Sequence, residues 1–278
     1  MATRTAPTFR RSLLATLIAL ALAVPRPSEG QVQASGPVPC PTSTVGRVFS
    51  PRDPRASFLH HRIAALLDGE IQGLESLVAS TPATSPDRAP LLRRLAEDYV
   101  ELENARAMTA ASSRQKAMDG YTKLLNEYPS YAQLDEVQYY LGLEAERDGD
   151  VSNARRDYFM LIQQRPASPL VPLAYLAFAD LFFDEAKGDP SKWELAAQAY
   201  MKVISYPPPQ NRAYGYAWYR LAHVRWHQGD VPGADQSFAK AKAYAASYPT
   251  LAGSSDIARA AGADIAALHG AQAPCPTY

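Results

Sequence analysis

Two histidines four residues apart, His223 and His227, are the one place in this sequence where side-chain spacing suggests metal chemistry, because i and i+4 on a helix share a face. Two imidazoles make half a site. No carboxylate or cysteine stands with them at metal-ligand spacing, so no metal and no cofactor is expected. Asp180 is the residue that would have to join His223 and His227 if the pair belonged to an enzyme or to a cell-wall-ligand site. His60 and His61 are adjacent and would point in different directions. The sequence has no glycine-rich loop followed by Lys and Ser or Thr, no zincin helix and no paired-cysteine motif, so catalysis has no visible foothold.

Cysteine offers a second chemistry. Cys40 and Cys275 sit in matching strings, Pro39-Cys40-Pro41-Thr42 and Pro274-Cys275-Pro276-Thr277. The residues before them read as an export signal: Arg4, Arg10 and Arg11 precede an apolar run from Leu13 to Val24 that Pro25 ends. That run is shorter than the roughly 17–25 apolar residues a membrane span needs, so residues 1–30 are expected to be a cleaved signal peptide, cut between about residues 23 and 34, with no transmembrane anchor afterwards; an uncleaved anchor is the alternative. Cys40 lies too far beyond the apolar run, behind Pro37, Val38 and Pro39, to be a lipid acceptor. An oxidising compartment favours a disulfide between Cys40 and Cys275, with unpaired thiols or a bond to another chain as the alternatives.

A third chemistry is recognition by exposed aromatics, with packing of Tyr216, Tyr219 and Trp226 against the proline loop or the C-terminal helix as the equal alternative. Tyr216, Tyr219 and Trp226 fall between the positions that set the helical pattern of their segment, as do His223 and His227. Formal charge balances, 28 basic against 28 acidic residues, which removes any general attraction to nucleic acid or to anionic lipid.

The elements that would position these residues follow from periodicity. Trp218, Leu221, Ala222 and Arg225 stand at i, i+3, i+4 and i+7 of one helix, Gly229 and Asp230 form a turn, and Ala234, Phe238 and Ala241 give the face of a second. The same pattern returns at Leu92, Leu95, Ala96 and Tyr99 with Ala117, Tyr121 and Leu124. It returns again at Leu141 and Gly142 with Gly149, Asp150, Ala154, Tyr158 and Leu161, and at Tyr175, Phe178, Ala179 and Phe182 with Ala196, Tyr200 and Val203. Tyr121, Tyr158, Tyr200 and Phe238 hold one recurring position, while Tyr128-Pro129, Tyr206-Pro207 and Tyr248-Pro249 each close a unit. A helix from Ser57 to about Ala79 precedes the repeats, and one capped by Ser255 and ending at Gly270 follows them. The fold expected is all-α: an α-solenoid over residues 57–270 with helical caps, after a Pro-rich linker over 31–56 and before a tail over 271–278.

This pattern of small residues, recurring aromatics and Gly-Asp turns resembles the tetratricopeptide repeat (TPR) family, whose units are helix-turn-helix pairs of about 34 residues. The resemblance covers the repeats and implies a right-handed solenoid of about four units. It also implies that certain first-helix positions line a concave binding groove. Carried onto this sequence, those are Tyr216, Tyr219, His223, Trp226 and His227; Glu136, Tyr139, Leu143, Glu146 and Arg147; Leu176, Asp180, Phe183 and Asp184; and Arg93, Glu97 and Glu101. Family members that grip acidic chain ends use Lys and Asn where Tyr139, Leu143, Tyr219 and His223 stand here, so that mode of recognition is not implied. With its export signal the chain resembles the periplasmic repeat proteins of Gram-negative envelopes, and the string from Tyr206 to Leu221 resembles myxobacterial members. The function this implies is a non-enzymatic periplasmic adaptor that binds a segment of another envelope protein. The alternative is the enzyme or cell-wall-ligand site at His223 and His227.

Overall fold

The computed structural model of the chain describes residues 48–57, 62–106 and 111–270, which fall within one compact unit. The expected signal peptide, Cys40, Cys275, His60, His61 and the 271–278 tail lie outside the described residues. Among those described, a 3-10 turn over Pro54–Ser57 is followed by ten α-helices and no strand. They are α1 (Ala64–Ser80), α2 (Arg88–Ala105), α3 (Ala111–Glu127), α4 (Leu134–Arg147), α5 (Val151–Gln164), α6 (Val171–Ala186), α7 (Lys192–Ile204), α8 (Tyr214–His227), α9 (Val231–Ser247) and α10 (Ser254–Gly270). Each packs on the next along the chain, and α8 also meets α10, giving the sequential stacking of an α-solenoid-like array. No described helix is long and apolar enough to cross a membrane.

The pairs are built from the recurring positions. Ala117, Tyr121 and Leu124 of α3 are fully buried, as are Ala154, Tyr158 and Leu161 of α5, Ala196, Tyr200 and Val203 of α7, and Ala234, Phe238 and Ala241 of α9. Fully burying a large apolar side chain contributes roughly 1.5–3 kcal/mol, so one such triplet per pair is a large part of what joins the pairs. The small residues set the closeness of approach. A Cβ on Gly142 would stand 2.9 Å from the Tyr158 ring, so the α4–α5 contact depends on glycine there.

Two turns share one backbone solution. Gly149 and Gly229 have φ of 84° and 81°, a left-handed conformation that ends the preceding helix without the strain a Cβ would bring. Asp150 and Asp230 then cap the next helix by accepting from Asn153 N at 3.0 Å and Gly233 N at 2.9 Å. The α6–α7 turn is different: the Asp189 side chain accepts from the Ser191 backbone and hydroxyl at 3.1 and 2.7 Å. Pro207–Pro209, expected to be extended, enter a turn in which the Asn211 N–H donates to Pro207 O at 3.4 Å, and the Asn211 amide donates to Val203 O at 2.8 Å and Tyr206 O at 3.0 Å.

The N-terminal end departs from the sequence reading. Ser57 ends the 3-10 turn instead of capping a helix, and α1 begins at Ala64. Immediately before α1 the chain is committed elsewhere: Arg62 gives its backbone N–H to Glu101 at 3.1 Å and its guanidinium to Glu101, Asp98 and Glu70. Residues 48–56, read as linker from their proline content, lie against the helices. At the other end α10 starts one residue before the expected Ser255, with the Ser254 hydroxyl donating to Tyr248 O at 2.7 Å.

Candidate functional site

Residues 48–57 form a strap across the first helices of successive pairs. Pro51 and Pro54 fix φ and lack N–H donors; the strap turns at Pro51 and Arg52 and ends in the 3-10 turn, where the Ala56 N–H donates to Asp53 O at 3.1 Å, and its side chains make most of the attachments. Its path runs opposite to the order of the repeats. The Phe49 ring packs on Gly253, next to the start of α10, where an added Cβ would meet it at 2.6 Å. Ser50 lies by the Tyr216 hydroxyl of α8. The Arg52 guanidinium takes a bidentate grip on Glu146 of α4, one bond measuring 2.7 Å, and stands 3.8 Å from Asp180 of α6. The Arg52 carbonyl accepts from the Tyr139 hydroxyl at 2.5 Å. Arg55, deeply buried, bonds Glu144 and lies 4.4 Å over the Tyr140 ring. Asp53 sits between the two arginines, accepting from Arg55 at 3.0 Å and from Arg147 at 2.7 Å. Burial pushes the Asp53 carboxyl up, and Arg55 and Arg147 more than reverse this, leaving it below the usual carboxylate range.

The recurring tyrosines explain why this polar chemistry is buried. A phenol at the core position brings a hydroxyl that must find a partner away from water. Tyr121 OH accepts from Arg55 at 3.3 Å. Tyr158 OH accepts from Arg52 at 3.3 Å and donates to Glu146 at 3.0 Å. Tyr200 OH donates to Asp180 at 2.6 Å and accepts from Arg220 at 3.1 Å. Burial pushes all three phenols well above their ordinary pKa, so they remain neutral donors. The fourth pair carries Phe238 and receives no arginine at that position; its ring is bordered by Tyr219, His223 and Trp226 at 5.8, 5.2 and 6.2 Å between centroids.

The side chains expected in an open groove are mostly buried. Tyr139, Leu143, Asp180, Phe183, Tyr216, Tyr219, His223 and Trp226 are all buried, Trp226 completely. The aromatic groove is therefore corrected to a covered seam. Tyr139 and Tyr216 lie under the strap, and burial pushes the Tyr216 phenol up to about 12. Leu143 belongs to the apolar core, and Phe183 lies under the Arg220 guanidinium at 3.7 Å and against Trp193 at 5.0 Å. Tyr219 and His223 turn to the C-terminal cap: the Tyr219 hydroxyl donates to Asp264 at 2.8 Å and His223 Nε2 stands 3.2 Å from the same carboxylate. Arg147 and Asp184 are exposed among the expected groove residues; Arg147 holds Asp53 and Glu144, and Asp184 accepts from Lys187 at 2.8 Å.

His223, His227 and Asp180 do not form a common site. His223 faces Asp264, Asp180 faces Tyr200, Arg220 and Arg52, and His227 stacks on Trp193 with centroids 4.4 Å apart and planes 8° from parallel. Burial pulls His223 below its ordinary pKa against the pull of Asp264, and burial with neighbouring positive charge brings His227 down to about 4. Among the described residues no group of three His, Cys, Asp or Glu is placed to hold a metal ion.

Sequence reasoning missed Arg52, Asp53 and Arg55 because their stretch had no periodicity. The signal that could have found them is the Tyr, Tyr, Tyr, Phe series itself, since three buried hydroxyls require three sets of partners. A separate cleft of about 380 Å³ lies among α1, α2 and α3, lined by Asp68, Gln72, Glu75, Tyr99, Arg106 and Lys116. Its charges answer one another, Arg106 to Asp68 at 2.6 Å and Lys116 to the Tyr99 hydroxyl at 3.2 Å. No family model matches this chain, and no curated protein matches it.

Proposed function

We propose that this protein is a non-enzymatic TPR adaptor: four right-handed repeat units, exported to the periplasm of a Gram-negative cell, that mediate protein–protein contacts during assembly of an envelope complex. The observation that carries the reading is the strap. A non-α-helical polypeptide segment already lies across α4, α6 and α8, the helices that present first-helix positions in a TPR array, and is gripped there by side chains of named chemistry. The paired Gly-Asp turns and the buried aromatic in each second helix support the repeat assignment. Export rests on the basic and apolar residues before Pro25.

Cross-linking in the native cell followed by affinity purification tests the adaptor. The expected result is one envelope protein recovered in proportion to this chain, with cross-links on first-helix residues. Cross-links confined to this chain would overturn the reading. The mass of the mature protein tests export, with a loss of the first ~23 to 34 residues expected.

A further inference from the structure

We infer that the α4–α6 face is a receptor for a non-α-helical segment carrying two arginines three residues apart, that residues 48–57 occupy it in cis, and that a partner protein's segment of the same pattern displaces them. This rests on the adaptor reading above and adds the chemistry of the partner. The attachment is made by side chains. Arg52 and Arg55 reach Glu146, Glu144, Asp180 and the tyrosine hydroxyls, and the strap's backbone contributes one carbonyl to Tyr139. Its apolar anchoring is slight: Phe49 is 40% exposed, and Val48 is only half-buried against the core. An occupant is therefore selected by its guanidinium pair. Arginine suits this better than lysine, because a planar fork can meet a carboxylate bidentately and a tyrosine hydroxyl together.

The spacing fits the repeat. Arg52, in the turn, and Arg55, in the 3-10 helix that follows it, reach the hydroxyls of Tyr158 and Tyr121, which belong to adjacent pairs. An acidic residue directly after the first arginine completes the pattern, since Arg147 receives Asp53.

The face is also built to survive an exchange. Glu144 keeps Arg147 at 3.0 Å and Arg114 at 3.8 Å, and Asp180 keeps Arg220 at 3.4 Å, all borne on helices. Glu146 keeps the Tyr158 hydroxyl. When the strap leaves, these carboxylates are not stranded without positive charge or a donor, and water enters where the guanidinium groups stood. A partner carrying the same two arginines replaces equal contacts with equal contacts, so its local concentration decides which segment is bound.

The test uses the full chain with Arg52→Ala and Arg55→Ala and a fluorescent synthetic peptide of residues 48–57. The altered chain is expected to keep its helical circular dichroism and to bind the peptide at least tenfold more tightly than the unaltered chain, whose own strap competes. A peptide with both arginines replaced by alanine is expected to bind at least tenfold more weakly. A folded variant that binds neither peptide, or both equally, overturns the receptor. If the variant unfolds, amide exchange in the unaltered chain decides: protection over residues 48–57 well below that of α4 supports an exchangeable strap, and equal protection makes it a fixed part of the fold. A cross-linked partner without the arginine pair would overturn this inference and leave the adaptor standing. Peptide binding with no partner in the cell would count against the adaptor instead.

Discussion

The second and fourth helix pairs start from the same parts. Each has a glycine of positive φ, an aspartate capping its second helix and a fully buried aromatic four residues after a buried alanine. They diverge through a single oxygen. Tyr158 carries a hydroxyl into the core, and Arg52 and Glu146 are drawn in to satisfy it. Phe238 carries none, and its surroundings are rings, with the polar contacts of Tyr219 and His223 directed away to Asp264 of the cap. One repeat scaffold thus supports both a polar, strap-holding seam and an aromatic end sealed by α10. The difference teaches that the identity of the core aromatic, rather than the helical geometry, decides where this array can hold an arginine.

The sharpest blow to the aromatic end is Trp226→Ala. The side chain is 0% exposed, so the expected loss is about 3–5 kcal/mol, read by chemical denaturation. A loss below 1 kcal/mol would mean that this end is far looser than its packing. In the seam, Arg55→Ala breaks a buried pair, for which about 3–5 kcal/mol is usual. The low end, about 3 kcal/mol, is expected because an opened strap lets water reach Glu144. Retained helicity with fast amide exchange over residues 48–57 is the accompanying signature.

A reciprocal exchange addresses the comparison itself. Tyr158→Phe removes the hydroxyl that donates to Glu146 at 3.0 Å and accepts from Arg52 at 3.3 Å, and Phe238→Tyr inserts a hydroxyl among Trp226, His223 and Tyr219. Each is expected to cost about 1–3 kcal/mol, the range for an unmatched buried polar group. A neutral Phe238→Tyr would erase the distinction between the two regions.

The smallest effect is in pH. His227 folds with its pKa brought down to about 4, while in the unfolded chain it titrates near 6.5. Above about pH 6.5 both states are neutral and the contribution is whole; as pH falls from about 6.5 towards 4 the unfolded chain binds the proton first and stability is lost. Asp98 and Asp157, held up by burial, act in the opposite sense. They are common to both chains when His227→Phe is compared with the unaltered protein, so the difference isolates His227. The substitution keeps the stack on Trp193 and is expected to recover about 1–2 kcal/mol at pH 5, after allowance for partial exposure, seen as a smaller drop in Tm.

The helices were legible because their faces repeat. Ala117, Tyr121, Leu124 and their counterparts announced the pairs, and Gly149 and Gly229 announced the turns, since only a glycine readily ends a helix that way. The site was less legible for two physical reasons. The strap is short, aperiodic and proline-bearing, so nothing in its own pattern reveals that it is ordered; its order comes from residues remote in sequence, such as Tyr121, Tyr139, Tyr158 and Gly253. Exposure was also misjudged for Tyr139, Tyr216 and Trp226, because periodicity within a helix tells which faces are apolar and not which later receive a cover. Packing of Tyr219 against the C-terminal helix was one of the two readings open from sequence, but Asp264, which Tyr219 and His223 meet there, was not singled out.

A stack in which each helix touches its neighbours can ordinarily melt from its ends one unit at a time. The strap runs against the order of the repeats and touches Gly253 just before α10, then α8, α6, α4 and α3, within seven residues, from Phe49 to Arg55. It therefore couples units that share no direct contact, so that fraying at either end loosens the grip on all of them. Unfolding should then be a single sharp event, and a pull on the chain at Val48 should peel Phe49, Arg52 and Arg55 away in that order, releasing the array to behave as separate units.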